Sequence, residues 1–125
     1  MTQKHNLQWV GSSREALKEF PSNVREEMVY AIYLAQCGEK SSDAKPLKGF
    51  LGAGVLEIVE NFNTDTYRAI YTVRFKGTVY VLHVFQKKSK SGIATPKKDI
   101  DLIHRRLKAA EEHYKGFYEK EKKHG

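Results

Sequence analysis

The chain of 125 residues carries 22 lysines and arginines against 15 aspartates and glutamates, a formal charge of +7 at pH 7. This length supports one hydrophobic core, so we expect a single domain. The positive charge favours an acidic partner such as nucleic acid, an acidic protein or an anionic membrane surface. A membrane is the weakest of these, because no apolar run approaches the roughly 18 residues of a spanning helix.

Two further features indicate a cytoplasmic protein. The N-terminal segment lacks the apolar core of a signal peptide. The single cysteine, Cys37, has no partner for an internal disulfide and fits a reducing compartment.

The first part of the chain predicts one strand followed by a helical hairpin. Residues 7–10 alternate as a short strand, and a short helix then ends at Pro21. The second helix ends at Gly38, and its apolar residues recur every three or four positions: Val24, Met28, Ile32 and Ala35. Residues 39–54 are rich in glycine, serine and lysine and are predicted to form a loop.

The second part predicts three strands and a long helix. The strands cover about residues 55–62, 67–75 and 79–86, and turn-like residues at 63–65 and 76–77 indicate antiparallel hairpins, the second of them tight. Thr95 and Pro96 open a helix with one apolar stripe, formed by Ile100, Ile103, Leu107, Ala110 and Tyr114. The predicted order is β-α-α-β-β-β-α, an α+β fold with helices packed on a small antiparallel sheet. We expect the domain to cover residues 1–118 and the charged tail, 119–125, to be frayed.

Alternation in the middle strand separates an apolar face from a basic one. The apolar face is expected to pack under helices and contains Tyr67, Ala69, Tyr71, Val73 and Phe75. The other face, expected to be an exposed sheet surface, contains Arg68, Ile70, Thr72 and Arg74. Two guanidiniums on such a surface can clamp a phosphate, or they can pair with Glu57 or Glu60 of the neighbouring strand.

Five lysines follow the last strand: Lys87, Lys88, Lys90, Lys97 and Lys98. Lysines at this density favour an anionic ligand such as polyphosphate, although a basic turn that keeps the protein soluble has the same composition. Alternation sends Lys87 and Lys88 to opposite faces, so only one of them can point towards Arg68.

Histidine and cysteine spacing does not indicate a metal site, and we expect no cofactor. None of the five histidines has the spacing of a zinc motif, and Cys37 is alone. His83 lies inside the apolar strand, where it is either a hydrogen-bonded core residue or a catalytic one.

Several motifs in this order resemble the phage-derived HigB-like branch of the RelE toxin superfamily of type II toxin–antitoxin systems. They are Tyr67-Arg68-Ala69-Ile70-Tyr71, the run from Tyr80 to Ser89 containing Phe85-Gln86-Lys87-Lys88-Ser89, and Thr95-Pro96. The segment 47–58 also matches, and the resemblance covers about residues 5–115.

This resemblance implies a compact endoribonuclease with helices on one side of the sheet and a basic groove on the other. Such proteins cleave mRNA, often on the ribosome, without a metal, and a helix-turn-helix antitoxin neutralises them. The resemblance assigns the strand arginine to Arg68 and the basic positions to Lys87 and Lys88, and Glu57 matches its pattern. In a mechanism without a metal, Arg68 would clamp the phosphate, Lys87 or Lys88 would add charge or a proton, and Glu57 or His83 would be a base only if it reaches the groove. Further RNA contacts are expected from Arg74, Lys90, Lys97, Lys98 and Lys48.

Two other functions remain open at this stage. A non-catalytic RNA- or ribosome-binding module would use the same basic surface without cutting. A DNA-binding partner would need a recognition helix, and the last helix carries Arg105 and Arg106 only on a face expected to be solvated.

Overall fold

The computed structural model describes residues 4–50, 52–87 and 95–124, with side chains through residue 117. Its elements, in chain order, are β1 (Asn6–Trp9), α1 (Ser13–Lys18), α2 (Ser22–Gln36), β2 (Ala44–Pro46), β3 (Val55–Phe62), β4 (Asp65–Thr72), β5 (Thr78–Lys87) and α3 (Lys97–His124). This is the predicted order with the short strand β2 added inside the predicted loop. The α+β fold class is confirmed.

The strands of the described ranges form one sheet in the order β1-β5-β4-β3-β2. Strand β1 runs parallel to β5, whereas β2, β3, β4 and β5 pair antiparallel with their neighbours. The sheet is therefore antiparallel, as predicted, except at the edge where β1 joins it. Strands β4 and β5 lie near its centre.

The two hairpins differ in their turns. Strands β3 and β4 join through Asn63 and Thr64, whose φ angles of 48° and 69° fit a type I′ turn, so the first hairpin is confirmed. The second hairpin is not tight, because β4 ends at Thr72 and β5 begins at Thr78. The Thr72 hydroxyl donates to the Gly54 carbonyl (2.9 Å) and accepts from the Arg74 amide (3.1 Å). These bonds turn the chain away from β5, so the pairing of β4 with β5 ends at Thr72.

Helices cover both faces of the sheet. Residues of α1 and α2, including Leu17 and Met28, pack on the face of Tyr67, Ala69 and Tyr71. The predicted stripe of α3 packs on the opposite face, against residues that include Ile70, Tyr80 and Leu82. The expectation that Arg68, Ile70 and Thr72 lie on an exposed surface is therefore wrong: they are 3%, 0% and 0% exposed. The apolar stripe of α3 needs an apolar surface to pack against, and the sheet face opposite α2 provides one.

Helix α3 continues beyond the predicted end of the domain. The backbone is helical to His124, and the fraying expected for residues 119–125 stays a prediction. Residues 118–124 are mainly glutamate and lysine, which extend an existing helix at little cost because nucleation is already complete. The domain boundary at residue 118 stays a prediction. None of the described helices is long and apolar enough to cross a membrane.

The β3–β4 turn predicts a stabilising substitution. Thr64 is β-branched and held at a φ of 69°, a region that suits asparagine or glycine. We expect Thr64→Gly to raise the free energy of unfolding by about 1 kcal/mol, measured by urea denaturation. Asn63→Gly is the matched control and should give no such gain, because asparagine tolerates this conformation. Equal stability of wild type and Thr64→Gly would contradict the assignment of strain to Thr64.

Candidate functional site

A β-bulge in β5 places His83 on the same sheet face as Arg68. Arg68 pairs with Phe85 and Ile70 with His83, but Tyr71 pairs with Val81, so Leu82 is the extra residue. Strict alternation from Val79 and Val81 would turn His83 towards α1 and α2. The bulge instead directs it towards α3, on the same face as Arg68.

The central contact of this face is an ion pair between Arg68 and Glu57. The Arg68 Nη1 atom donates to Glu57 Oε2 at 3.1 Å, and the two side chains are 4% and 18% exposed. A buried guanidinium is costly unless it is paired, and the carboxylate supplies that charge. Of the two ion pairs predicted for the strand arginines, the one with Glu57 is thus formed. Glu60 points to the opposite face of the sheet, together with Tyr67, which lies directly across from it on β4.

Two lysines flank this ion pair on the same face. Lys87 ends β5 opposite Thr66, two residues from the cross-strand partner of Arg68. Lys45 lies on β2 directly opposite Glu57 and is exposed. Side chains of directly opposed residues share a sheet face, so Lys45, Glu57, Arg68 and Lys87 line one band across the strands.

His83 is held by α3 from both sides of its ring. Its Nε2 atom is 2.8 Å from Asp99 Oδ1, and its Nδ1 atom is 3.4 Å from Nη1 of Arg106, which also donates to the Leu82 carbonyl at 2.9 Å. The ring stacks on Phe85 with centroids 4.6 Å apart. A neutral imidazole with its proton on Nε2 satisfies both contacts. His83 therefore connects the beginning of α3 to β5.

The surroundings of His83 also favour the neutral ring. Burial lowers the pKa of His83 below its ordinary value of 6.5; the Asp99 carboxylate opposes the shift and Arg106 adds to it. A second proton on Nδ1 would face the Arg106 guanidinium. His83 as a whole is 9% exposed, so it is a buried polar residue of the sheet–helix interface.

The other predicted site residues are spread more widely. Lys97 and Lys98 are exposed in the first turn of α3, where Lys97 pairs with Asp101 at 3.1 Å. Lys48 is exposed in the loop before β3. Arg74 lies past the end of β4, six residues beyond Arg68 and so up to about 20 Å from it. Lys88 and Lys90 lie outside the described residues.

Sequence reasoning missed three residues around this site. Lys45 belongs to a three-residue strand containing a proline, too short for alternation to reveal. Asp99 lies in the first turn of α3, and only tertiary packing brings it to His83. The expectation that Arg106 is solvated is wrong, since its guanidinium reaches β5 and packs close to Gly11.

These features define an α+β protein with a paired arginine on a sheet face flanked by lysines. Its sequence matches the family described as "Phage derived protein Gp49-like (DUF891)" over residues 15–108, and the chain belongs to this family. The resemblance to a phage-derived branch, predicted from the strand and loop motifs, is thereby confirmed. No curated protein sequence matches the chain.

Solved structures that are similar to the chain include two of toxin proteins. One is the RelBE2 toxin–antitoxin complex from Mycobacterium tuberculosis, with 21% identity and a TM-score of 0.46 over 71% of this chain and 98% of that chain. The other is a mutant of the E. coli toxin RelE in the free state, with 18% identity and a TM-score of 0.47 over 66% of this chain and 82% of that chain.

The lowered pKa of His83 predicts a specific pH dependence of stability. Between the folded pKa and 6.5 the unfolded chain binds a proton at His83 that the folded protein does not, so stability falls as the pH drops through 6.5. His83→Gln keeps a donor for Asp99 but cannot titrate. We expect the stability difference between wild type and variant to shrink as the pH is lowered from about 7.5 to 5.5 in urea titrations. A difference that stays constant over this range would contradict the account.

Proposed function

We propose that this protein is the toxin of a type II toxin–antitoxin system and a metal-independent endoribonuclease, as expected for the HigB-like branch of the RelE superfamily. Its membership of a phage-derived family supports the first part. The observation that carries the second is the Arg68–Glu57 pair between Lys45 and Lys87. A phosphate group that enters this band can replace the Glu57 carboxylate as the hydrogen-bond acceptor of the Arg68 guanidinium.

In the proposed reaction the RNA 2′-hydroxyl attacks the adjacent phosphorus. The 2′-O–P bond forms and the P–O5′ bond breaks, which yields a 2′,3′-cyclic phosphate and a 5′-hydroxyl. Arg68 holds the equatorial oxygens, and its displaced partner Glu57 takes the 2′-hydroxyl proton. Lys87 stabilises the charge and gives a proton to the 5′-oxygen.

His83 is the weaker of the two candidate bases. Its ring is buried and both nitrogens already contact α3, whereas the Glu57 side chain is 18% exposed. We assign His83 to positioning β5 against α3. Further RNA contacts are proposed for the other basic residues predicted from the sequence, namely Lys48, Arg74, Lys88, Lys90, Lys97 and Lys98.

The proposed substrate and protein partner follow from the same resemblance to the HigB-like branch. The substrate is mRNA in the cytoplasm, engaged on the ribosome, and a helix-turn-helix antitoxin neutralises the toxin by covering the basic band with an acidic segment. The RelBE2 structure, to which this chain is similar, is that of a toxin–antitoxin complex.

A second candidate is a non-catalytic RNA- or ribosome-binding module. It is favoured by the burial of Arg68, which is 3% exposed and neutralised by Glu57, as in a purely structural ion pair. This candidate predicts RNA affinity without strand cleavage.

The two candidates are separated by induced expression in cells followed by primer extension on an abundant mRNA. We expect wild type to arrest growth and produce new 5′ ends. Arg68→Lys keeps the charge but loses the fork, and Glu57→Gln loses the base; each should reduce the new ends about 100-fold. Arg14→Lys and Glu15→Gln are matched controls on the exposed surface of α1 and should behave as wild type.

Thermal unfolding of each purified variant checks that it is folded, because loss of one partner of a buried ion pair destabilises proteins. Growth arrest without new 5′ ends would contradict the endoribonuclease and favour the binding module. Folded Arg68→Lys and Glu57→Gln variants that cut as well as wild type would contradict the assigned site.

A further inference from the structure

Helix α2 presents an unusual outward surface. Its buried residues, which include Val24, Met28 and Ile32, face the sheet. The opposite side carries Glu26, Glu27, Val29, Tyr30 and Tyr33, all exposed. Together with Asp43 and Glu60 beside the helix, we call these residues the acidic–aromatic face.

The apolar side chains of this face have no role in the core. Val29, Tyr30 and Tyr33 are 48%, 58% and 47% exposed, and they follow one another at helical spacing on one side of α2. Large apolar side chains gathered on one surface commonly mark an interaction site. Tyrosine is also enriched where proteins meet, because its ring contributes area and its hydroxyl remains polar.

Three carboxylates form a cluster that includes Glu27, one helical turn before Tyr30 on α2. Oxygens of Glu27, Asp43 and Glu60 all lie within 4.8 Å of one another. Burial and the charges of Asp43 and Glu27 raise the pKa of Glu60, which reflects the cost of holding the carboxylates together. This negative cluster occurs in a chain whose net charge is +7.

The face already binds one cation of its own chain. The Lys4 ammonium lies 5.4 Å from the centroid of the Tyr33 ring, a cation–π contact. Rings and carboxylates on one helix therefore offer two kinds of interaction to a basic side chain, and an apolar surface to its neighbours.

The acidic–aromatic face lies on the other side of the sheet from the Arg68–Glu57 pair. Helix α2 packs on the side of Tyr67 and Ala69, and Arg68 points to the side covered by α3. A molecule docked on α2 would leave the Arg68 band uncovered.

We propose that the acidic–aromatic face is a docking surface for an amphipathic segment of a protein partner that carries lysines or arginines beside apolar residues. Charge complementarity selects this occupant, because the carboxylates repel the phosphates of nucleic acids and the headgroups of anionic membranes. The proposal does not depend on the proposed nuclease activity.

The full-length protein can be tested with two synthetic amphipathic helices of about 18 residues. Both have leucines on one side; one has lysines on the other side and its matched partner has glutamates. In NMR titrations of the labelled protein, the lysine peptide should shift the amide signals of residues 26–33, 43 and 60. The glutamate peptide and a short RNA should leave these signals in place.

Variants then test the residues of the face. Glu27→Gln/Glu60→Gln and Tyr30→Ser should each weaken binding of the lysine peptide about tenfold. Glu112→Gln, an exposed glutamate on α3, is the control and should bind as wild type. The double variant should also melt roughly 1–3 °C higher, because repulsion between carboxylates is removed. Higher stability with weaker binding distinguishes a docking surface from a structural cluster.

Four results would overturn the proposal. They are lysine-peptide shifts that map elsewhere, equal binding of the glutamate peptide, wild-type affinity in both α2 variants, and shifts of the α2 signals by RNA. Self-association detected by sedimentation and abolished by Tyr30→Ser would also overturn it, since the occupant would then be a second copy of the chain.

Discussion

The structure depends on the burial of β4 on both of its faces. Tyr67, Ala69 and Tyr71 pack under α1 and α2, while Arg68, Ile70 and Thr72 are covered from the side of α3. A guanidinium in this position must be paired, and Glu57 on β3 meets that requirement. The ion pair is therefore a condition of folding, and in the proposed function a phosphate group exchanges with its carboxylate. The opposite side of the molecule concentrates negative charge on α2, so the two sides suit partners of opposite charge.

Much of the fold could be predicted from short-range patterns. The apolar stripes of α2 and α3, the end of α2 at Gly38 and the turn at Asn63-Thr64 are local signals, and each is found in the structure. Strand β2 was missed because three residues are too few for alternation. The side of the sheet on which α3 packs was also missed. Tertiary packing decides on which side α3 packs. Strand β4 has apolar residues on both faces, but the charged residue Arg68 made the second face look polar in the sequence.

The candidate site was predicted in part. Arg68 and Glu57 were both selected from the sequence, and their pairing was one of the alternatives weighed. The direction of His83 was not predictable, because the bulge at Leu82 reverses the alternation of β5 and leaves no signature in composition. Asp99 and Arg106 join the site only through contacts between α3 and β5, residues far apart in sequence.

The central claim, cleavage of RNA by attack of its own 2′-hydroxyl, is tested most directly with a single modified nucleotide. Once a cleavage site is mapped in an mRNA, two synthetic copies of that mRNA are compared on purified ribosomes with added protein. One copy is unmodified, and the other carries a 2′-deoxy nucleotide on the 5′ side of the cut. The account predicts that the unmodified copy is cut to a 2′,3′-cyclic phosphate while the modified copy stays intact at that position. Cleavage of the modified copy at the same site would contradict it.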